Sequence, residues 1–274
     1  MSAVNTTATA AFSEISAVSR VFPGRYRADI EPLWGFGGNP NGGYLQATMA
    51  RAALDAADRE HVLAASTHFL AAPGPGDADI DTVVLRAGKS TTQVRVTLSQ
   101  GGEPKVEALV ILGVLPDPVE SPRWQSTRLQ PAGAAYEECV PHAPDLEQVP
   151  ATLMHQIDLR MEPASLRFYD GEPQGIGELR GWIALPAGEE FDSVSLLFAA
   201  DVMPPATYDV AFSGWVPTLT MSTYIRAVPV AGPLQLVIDT TLIQGGKGDE
   251  TCTIRDSAGA VVAQAHQLAG VRLP

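Results

Sequence analysis

The sequence predicts an α+β fold made of two similar halves, each an antiparallel sheet curled around one helix. The first observation is an internal repeat, in which STHFLAAP at 66–73 is matched 156 residues later by STYIRAVP at 222–229. Gly113-Val114 is matched by Gly270-Val271 at nearly the same spacing, 157 residues. The second observation is that each half contains one apolar-faced helix pattern and several strand patterns separated by glycine-containing turns. Two copies of one design are the simplest explanation of both observations.

The N-terminal half, residues 1–115, contains a turn, NPNGG at 39–43, that leads into its helix. The helix is predicted from about Gly43 to Asp58. Asn41 is the expected N-cap, because its side chain can accept a bond from a backbone N–H of the first turn. Strands are predicted after the helix over residues 62–70, 79–86, 91–99 and 105–115.

The C-terminal half, residues 151–274, repeats this pattern after a connecting segment. Residues 116–150 are rich in Pro, Glu and Ser, which predicts a linker that runs outside both sheets. The second helix is predicted near 192–202. Strands are predicted near residues 177–185, 218–226, 234–244, 250–256 and 261–273.

Composition limits the classes of partner. The net charge is −13, with 45% hydrophobic and 18% charged residues, which argues for a globular protein that does not bind nucleic acid or anionic membranes. No run of about 18 apolar residues predicts a membrane span, and the N-terminus lacks the basic and apolar regions of a signal peptide. The two cysteines, Cys139 and Cys252, have no metal-ligand spacing and fit a cytoplasmic chain with free thiols.

A carboxylate stands at the end of the predicted second helix, on its apolar face. Leu197 and Phe198 precede Asp201 at the spacing of one helix face. One interpretation is that Asp201, in the last turn before Pro204, swings out to water. The other is a function, because a charge at this helix end opposes the helix dipole and a buried carboxylate is costly unless it is hydrogen-bonded.

The repeat indicates that Asp201 belongs to one half only. The residue 156 positions earlier is Leu45, so the other half is apolar at this place. The same comparison selects Gln267, whose counterpart 157 positions earlier is Val110. Gln267 is in phase with small apolar residues of the last strand, such as Ala265, so its amide must find hydrogen-bond partners in the interior.

Thr218 is a third candidate by the same comparison, since its counterpart 156 positions earlier is Val62. Counted along its strand, Thr218 falls on the opposite face from the apolar residues. It lies directly after Pro217, where the strand begins, and the alternation of side chains between the two faces can change there. An Asp, a Gln and a Thr are a chemically sensible set. The carboxylate can accept a proton from water, and the amide and hydroxyl can hold that water in line with a carbonyl carbon.

Other motifs give no sign of a cofactor or metal. The chain has no GxSxG nucleophile motif, GGKG at 245–248 lacks the first glycine of a phosphate-binding loop, and residues 35–40 lack the third glycine of a dinucleotide site. The histidines show no metal-ligand spacing, and His68 and His266 are expected to be core or groove residues. Gly42 and Gly43 leave two alternatives open: backbone N–H groups that polarise a thioester carbonyl, or a tight turn with close packing.

Over nearly its whole length the chain resembles the acyl-CoA thioesterase II family, whose members have a double hot-dog fold. The motifs that carry the resemblance are NGGYLQA at 41–47, STHFLAAPG at 66–74, AADVMPPA at 199–206, TLTMSTYIRAVP at 218–229 and VVAQAHQ at 261–267.

The resemblance implies a site as well as a fold. In that family an Asp after the second helix, a Thr at the start of the next strand and a Gln on the last strand orient a hydrolytic water. These roles fall on Asp201, Thr218 and Gln267, with Thr220 or Ser222 as alternatives for the threonine. The implied activity is hydrolysis of acyl-CoA to a free acid and CoA. The strand motif departs from better-known members, which carry an acidic residue and a His near Thr220, and this affects the expected substrate range.

Two other functions stay open at this point. One is a hot-dog protein that binds acyl chains or acyl-CoA without hydrolysis. The other is an enoyl-CoA hydratase or dehydratase, a chemistry that usually needs an Asp–His pair. In each case the expected ligand is an acyl-CoA, and association into a homo-oligomer is expected because open sheet edges need cover.

Overall fold

An antiparallel sheet of 14 strands carries most of the structure, a computed structural model that describes residues 10–116, 121–126, 129 and 132–274. The first half contains α1 (Phe12–Ile15), β1 (Ser19–Phe22), β2 (Arg25–Ile30), β3 (Gly35–Phe36), β4 (Asn39–Pro40), α2 (Gly42–Ala57), β5 (His61–Phe69), β6 (Gly76–Ala87), β7 (Thr91–Gln100) and β8 (Glu103–Gly113).

The rest of the chain, after residue 115, is richer in short elements. It contains β9 (Val140–Pro141), β10 (Asp158–Met161), β11 (Glu178–Ala184), α3 (Ser195–Ala199), β12 (Thr218–Ile225), β13 (Leu234–Asp239), β14 (Ile243–Gln244), β15 (Lys247–Arg255) and β16 (Val261–Gly270). Short 3₁₀ helices cover Tyr136–Glu138, Thr152–His155, Pro163–Asp170, Pro186–Gly188 and Ala206–Asp209.

The strand order is β1-β2-β6-β7-β8-β5-β12-β16-β15-β13-β11-β10-β9, with β14 paired to β15 and β3 paired only to β4. Helix α2 packs against β5, β6, β7 and β8 and also against α3. A largely antiparallel sheet with few helices agrees with the predicted α+β class. Within the described residues, no helix combines the length and the apolar character needed to cross a bilayer.

The first predicted helix is confirmed together with its cap. The Oδ1 atom of Asn41 accepts a hydrogen bond from the backbone N–H of Tyr44 at 2.9 Å, as expected of an N-cap. Helix α2 is followed by its C-cap residue, Asp58, whose backbone is left-handed with φ of 47°. Gly43 at the start of α2 lies close to α3, because a Cβ atom on it would be 2.7 Å from the Leu197 carbonyl oxygen. Phe198 of α3 stacks on Phe12 of α1 with a ring separation of 4.7 Å.

The two predicted sheets are joined into one, because β5 and β12 pair directly. In this seam Ser66 faces Ser222, the residue that the predicted repeat treats as its equivalent, and their Oγ atoms are 3.3 Å apart. On the inner side, the amide of Gln46 donates to Thr67 Oγ1 at 2.9 Å and accepts from Thr223 Oγ1 at 3.1 Å. Thr67 and Thr223 are again 156 residues apart, so this amide links two positions that the predicted repeat treats as equivalent.

The second predicted helix, residues 192–202, is longer than α3, which covers only Ser195–Ala199. Its start is fixed by Asp192, whose Oδ1 accepts the backbone N–H of Ser195 at 2.6 Å. At its end the N–H of Asp201 bonds to the carbonyl oxygen of Phe198, a tighter turn than the α-helix, and Pro204 has no N–H to continue the helix. Asp201 therefore lies in the turn after α3, not on its face.

The predicted linker, residues 116–150, does not lie wholly outside the sheet. Val140–Pro141 forms β9, which pairs with β10 at the edge of the sheet. A proline-rich composition favoured a linker, but a proline is compatible with an edge strand, which has a partner on one side only. Residues 117–120, 127–128 and 130–131 of this segment lie outside the described residues.

The strands β1 and β2 were not predicted, although a signal is present. In β2 the residues Tyr26, Ala28 and Ile30 are buried and alternate with exposed or partly exposed ones, which is the period of a half-buried strand. The outermost strands of the sheet, β1 and β9, have four and two residues. Short edge strands limit edge-to-edge pairing by themselves, which removes part of the reason for expecting an oligomer.

Candidate active site

A cleft of about 340 Å³ lies between the N-terminus of α2, the turn after α3 and the start of β12. Many of the side chains on its walls are apolar, among them Leu45, Phe69, Leu153, Met154, Val202 and Met203. The polar side chains that line it are Asn41, His142, Asp201, Thr218, Glu250 and Gln267, together with those of Asn39 and two tyrosines, Tyr169 and Tyr208. An apolar pocket with a few convergent polar groups is typical of a small-molecule site.

Asp201 is held at the N-terminus of α2. Its Oδ2 accepts the backbone N–H of Gly43 at 2.9 Å and the side-chain Nδ2 of Asn41 at 3.1 Å. Asn41 Nδ2 also donates to the backbone carbonyl of Asp201 at 2.7 Å. The Asp201 carboxylate is thus held by α2 in the first half, through Gly43, which lies 158 residues earlier in the sequence.

Two opposed effects act on the ionisation of Asp201. Burial in the cleft raises the pKa of its carboxyl group to about 6, from an ordinary value of 3.8. The N–H groups of Gly43 and Gly42 and the side chain of Asn41 stabilise the carboxylate and lower its pKa. Desolvation is the larger effect, so Asp201 is a stronger base than an exposed aspartate and remains ionised at neutral pH.

The two glycines at the start of α2 are required by close packing. A Cβ atom on Gly43 would lie 2.7 Å from the carbonyl oxygen of Leu197 and 2.9 Å from Asp201 Cβ. A Cβ atom on Gly42 would lie 2.9 Å from Asp201 Oδ2 and from the ring of Phe69. The close-packing alternative is therefore confirmed, and the Gly43 N–H is used by the Asp201 carboxylate.

Thr218 reaches the cleft because a bulge changes the phase of β12. Thr218 pairs with Ala269 and Thr220 pairs with Leu268, so Leu219 is an extra residue in the strand and is exposed. The predicted break of phase after Pro217 is confirmed. In β5 the same irregularity lies between Val62 and Ala64, 156 residues earlier in the sequence.

Gln267 joins Thr218 to a third side chain, Glu250. Its Oε1 accepts a hydrogen bond from Thr218 Oγ1 at 2.9 Å, and its Nε2 donates to Glu250 Oε2 at 2.7 Å. Gln267 shares a strand face with the buried Ala265 and Ala269, as its sequence phase predicts. Both the oxygen and the nitrogen of the Gln267 side-chain amide are therefore hydrogen-bonded.

The structure thus brings Asp201, Thr218 and Gln267 into one cleft, but in two groups. Thr218 and Gln267 are bonded to each other, whereas Asp201 is bonded to the N-terminus of α2. Glu250 was missed by sequence reasoning. The 156-residue offset that selected Asp201 and Thr218 points to it, because the residue 156 positions before Glu250 is Val94, which is fully buried.

The corresponding positions in the first half are apolar. Leu45, Val62, Val94 and Val110 are all at most 2% exposed. Such side chains cannot bind a water through hydrogen bonds. The set of polar side chains formed by Asp201, Thr218, Glu250 and Gln267 therefore occurs once among the described residues.

His142 also lines the cleft and was not predicted, since it lies in the supposed linker. It is 4% exposed and packs against Tyr169 with a ring separation of 5.7 Å. Burial lowers the pKa of its imidazole to about 4, so His142 is neutral at physiological pH. Over the described ranges, no group of three or more His, Cys, Asp or Glu side chains is placed to hold a metal ion.

Comparison with known proteins gives two family matches that divide the chain near the predicted linker. The acyl-CoA thioesterase N-terminal domain matches residues 30–113. The acyl-CoA thioesterase C-terminal domain matches residues 136–271. The second match begins inside the predicted linker, in agreement with the position of β9.

Individual relatives are similar to the chain over more than nine-tenths of its length. An uncharacterized protein of Mycobacterium tuberculosis is 32% identical over 92% of this chain and 91% of its own. A crystal structure from Thermobifida fusca, of a protein assigned as a thioesterase II, is 30% identical with a TM-score of 0.86, over 95% of this chain and 97% of its own. A protein of Alicyclobacillus acidocaldarius with a hot dog fold is 21% identical with a TM-score of 0.81, over 96% and 98%.

Proposed function

Because the chain belongs to the acyl-CoA thioesterase II family and has a hot-dog fold, we propose that it hydrolyses acyl-CoA to a free acid and CoA. The observation that carries this proposal is the cleft itself. It combines a carboxylate of raised pKa, Asp201, with the hydrogen-bonded pair Thr218–Gln267, between apolar walls. The walls suit an acyl chain, and the polar groups suit a water and a thioester carbonyl.

In the proposed reaction Asp201 is the general base. The water oxygen forms a bond to the carbonyl carbon of the thioester while Asp201 takes one water proton. The resulting tetrahedral oxyanion collapses, the C–S bond breaks, and the CoA sulfur leaves with the electron pair and receives the proton. A base with a pKa of about 6 suits this step near neutral pH, because it is ionised and still basic enough to accept the proton.

Thr218 and Gln267 hold the water in the proposed mechanism. Their mutual hydrogen bond fixes both side chains, so the water would meet a hydroxyl and an amide whose positions are set before substrate binds. If Gln267 acts like a donor that stabilises the transition state, its loss costs roughly 2–4 kcal/mol in the barrier.

We also propose that the two halves are repeated hot-dog units of which only the second is catalytic, with residues 1–115 and 151–274 as the units. Support comes from the seam, where Ser66 faces its equivalent Ser222, and from the bulge that β5 and β12 share.

The first test is a thiol-release assay with purified protein and acyl-CoAs of increasing chain length. We expect turnover in the wild type and a loss of roughly 100-fold or more in kcat for Asp201→Asn. Acyl-CoA binding without thiol release would favour a binding protein, and hydration of enoyl-CoA without thiol release would favour the hydratase alternative. Unchanged turnover of Asp201→Asn would refute the assignment of the base.

A matched pair of variants tests the one-sided site. Gln267→Ala should cripple hydrolysis, whereas Val110→Ala, the equivalent change in the first half, should leave kcat near normal. Val110→Ala should lower the free energy of unfolding by roughly 1–3 kcal/mol, because it leaves a small cavity. A folded Val110→Ala protein that lost as much kcat as Gln267→Ala would contradict a single active half.

A further inference from the structure

Glu250 stands beside the proposed site but has no role in the mechanism above. It lies on β15 directly opposite Gln267 on β16, lines the cleft and is only 3% exposed. Its Oε2 accepts the hydrogen bond from Gln267 Nε2 at 2.7 Å. A carboxyl group buried to this degree carries a large cost of desolvation, which stability alone does not explain.

We infer that Glu250 is a positioning residue that sets the orientation of the Gln267 amide, and with it the direction of the hydrogen bonds offered to the water. This inference rests on the proposed hydrolysis. An amide is an acceptor on its oxygen and a donor on its nitrogen, while an ionised carboxylate can only accept. The Glu250 carboxylate therefore requires Nε2 of Gln267 on its side, and the amide oxygen must then face Thr218.

This orientation determines what Thr218 can do. Its hydroxyl has one hydrogen, which it donates to Gln267 Oε1 at 2.9 Å, so its oxygen is left as an acceptor toward the cleft. A water can then donate one hydrogen to Thr218 and the other to Asp201. Its lone pair remains free to attack the thioester carbon.

A neutral Glu250 would permit the opposite arrangement. A protonated carboxyl group can donate to the amide oxygen, the amide nitrogen then donates to Thr218, and the Thr218 hydroxyl points its hydrogen into the cleft. The water would lose an acceptor and gain a competing donor. The charge of Glu250 on β15 thus controls which group donates and which accepts in the hydrogen bonds that run through Gln267 to Thr218 on β12.

The surroundings of Glu250 put this change near neutral pH. Burial raises the pKa of Glu250 to about 7, and the hydrogen bond from Gln267 lowers it only in part. The other groups that act on or respond to its charge are the backbone N–H groups of Ala206 and Thr207 and the titratable side chains of Asp201, Tyr208 and Cys252.

A double-mutant cycle tests the inference by kinetics. Glu250→Gln keeps the size of the side chain but removes the charge that selects one orientation, so kcat should fall roughly tenfold with little change in KM. In a Gln267→Ala background the same substitution should cost less than about twofold, because Glu250 would act only through Gln267. The control is Asp239→Asn on β13, where a carboxylate bonded to Thr251 lies outside the cleft; its kcat should match the wild type.

Two kinetic outcomes would overturn the inference. Wild-type kcat in Glu250→Gln would show that the charge does not matter. A full tenfold loss in the Gln267→Ala background would show that Glu250 acts on the substrate directly and not through the amide.

A second measurement does not depend on catalysis. With ¹⁵N-glutamine labelling, the side-chain amide signals of Gln267 are identified by their absence in Gln267→Ala. They should shift between about pH 6 and pH 8 in the wild type and in Asp239→Asn. The part of the shift centred near pH 7 should be absent from Glu250→Gln, where Asp201, with a pKa of about 6, still titrates in the cleft. Signals that do not move in the wild type would overturn the inference even in an active thioesterase. Signals that move in a protein without thioesterase activity would support the inferred polarity and refute only the proposed function.

Discussion

Replacing Asp201 by Asn should make the protein more stable at alkaline pH while removing its activity. The pKa of Asp201 lies at about 6 in the folded protein, against an ordinary value of 3.8. Each tenfold change in a protonation equilibrium is worth about 1.4 kcal/mol, so ionising this group costs the folded state up to about 3 kcal/mol. The folded protein holds the proton more tightly than the unfolded chain, so wild-type stability falls as pH rises from about 4 to about 6. An asparagine does not titrate and can still accept the bond from Gly43.

The assay is denaturant unfolding of wild type and Asp201→Asn at several pH values. The variant should exceed the wild type by less than about 1 kcal/mol at pH 4 and by up to about 3 kcal/mol at pH 8. Asp77→Asn removes one charge from an exposed position on β6 and should show no comparable gain. A difference between wild type and Asp201→Asn that stays constant from pH 4 to pH 8, or that decreases, would refute the argument that burial dominates at this site.

Three further outcomes are expected. The ratio kcat/KM should decline by up to about tenfold as Glu250 becomes protonated around pH 7, and then by about tenfold per pH unit below roughly pH 6 as Asp201 becomes protonated. Initial rates from pH 5 to pH 9 measure this, and a rate that stays constant below pH 6 would contradict Asp201 as the base. Gly43→Ala should destabilise the fold by roughly 1–3 kcal/mol, because the new methyl group would lie 2.7 Å from the Leu197 carbonyl oxygen; a melting temperature equal to that of the wild type would show that the helices separate freely. Asn41→Ala removes the N-cap of α2 and the hydrogen bond to the Asp201 carbonyl. It should lower the free energy of unfolding by roughly 0.5–2 kcal/mol, and a denaturant midpoint equal to that of the wild type would contradict this prediction.

Local patterns in the sequence predicted the elements whose cause is local. The Asn41 cap and the apolar face of α2 are properties of neighbouring residues, and both are confirmed. The inward direction of Gln267 follows from the alternation along one strand. Even the bulge that turns Thr218 inward has a local signal in Pro217.

Features that depend on how distant elements meet were not predicted. Asp201 ends on the N-terminus of α2 because the two helices cross closely, and no pattern near residue 201 specifies that partner. Glu250 acquires its importance from the register of β15 against β16, which the sequence of either strand does not define. β9 was missed because proline usually marks a linker, whereas the edge of a sheet also accepts it.

The seam between β5 and β12 has a consequence for how the chain folds. The strands β6, β7 and β8 pair through short turns, but Ser66 must meet a residue 156 positions away, and long-range pairing of this kind is slow. The first half leaves the ribosome before the second exists, so the outer edge of β5 is unpaired during synthesis. We expect the seam to close last, and the interval before it closes is the stage at which two nascent chains can pair with each other through β5.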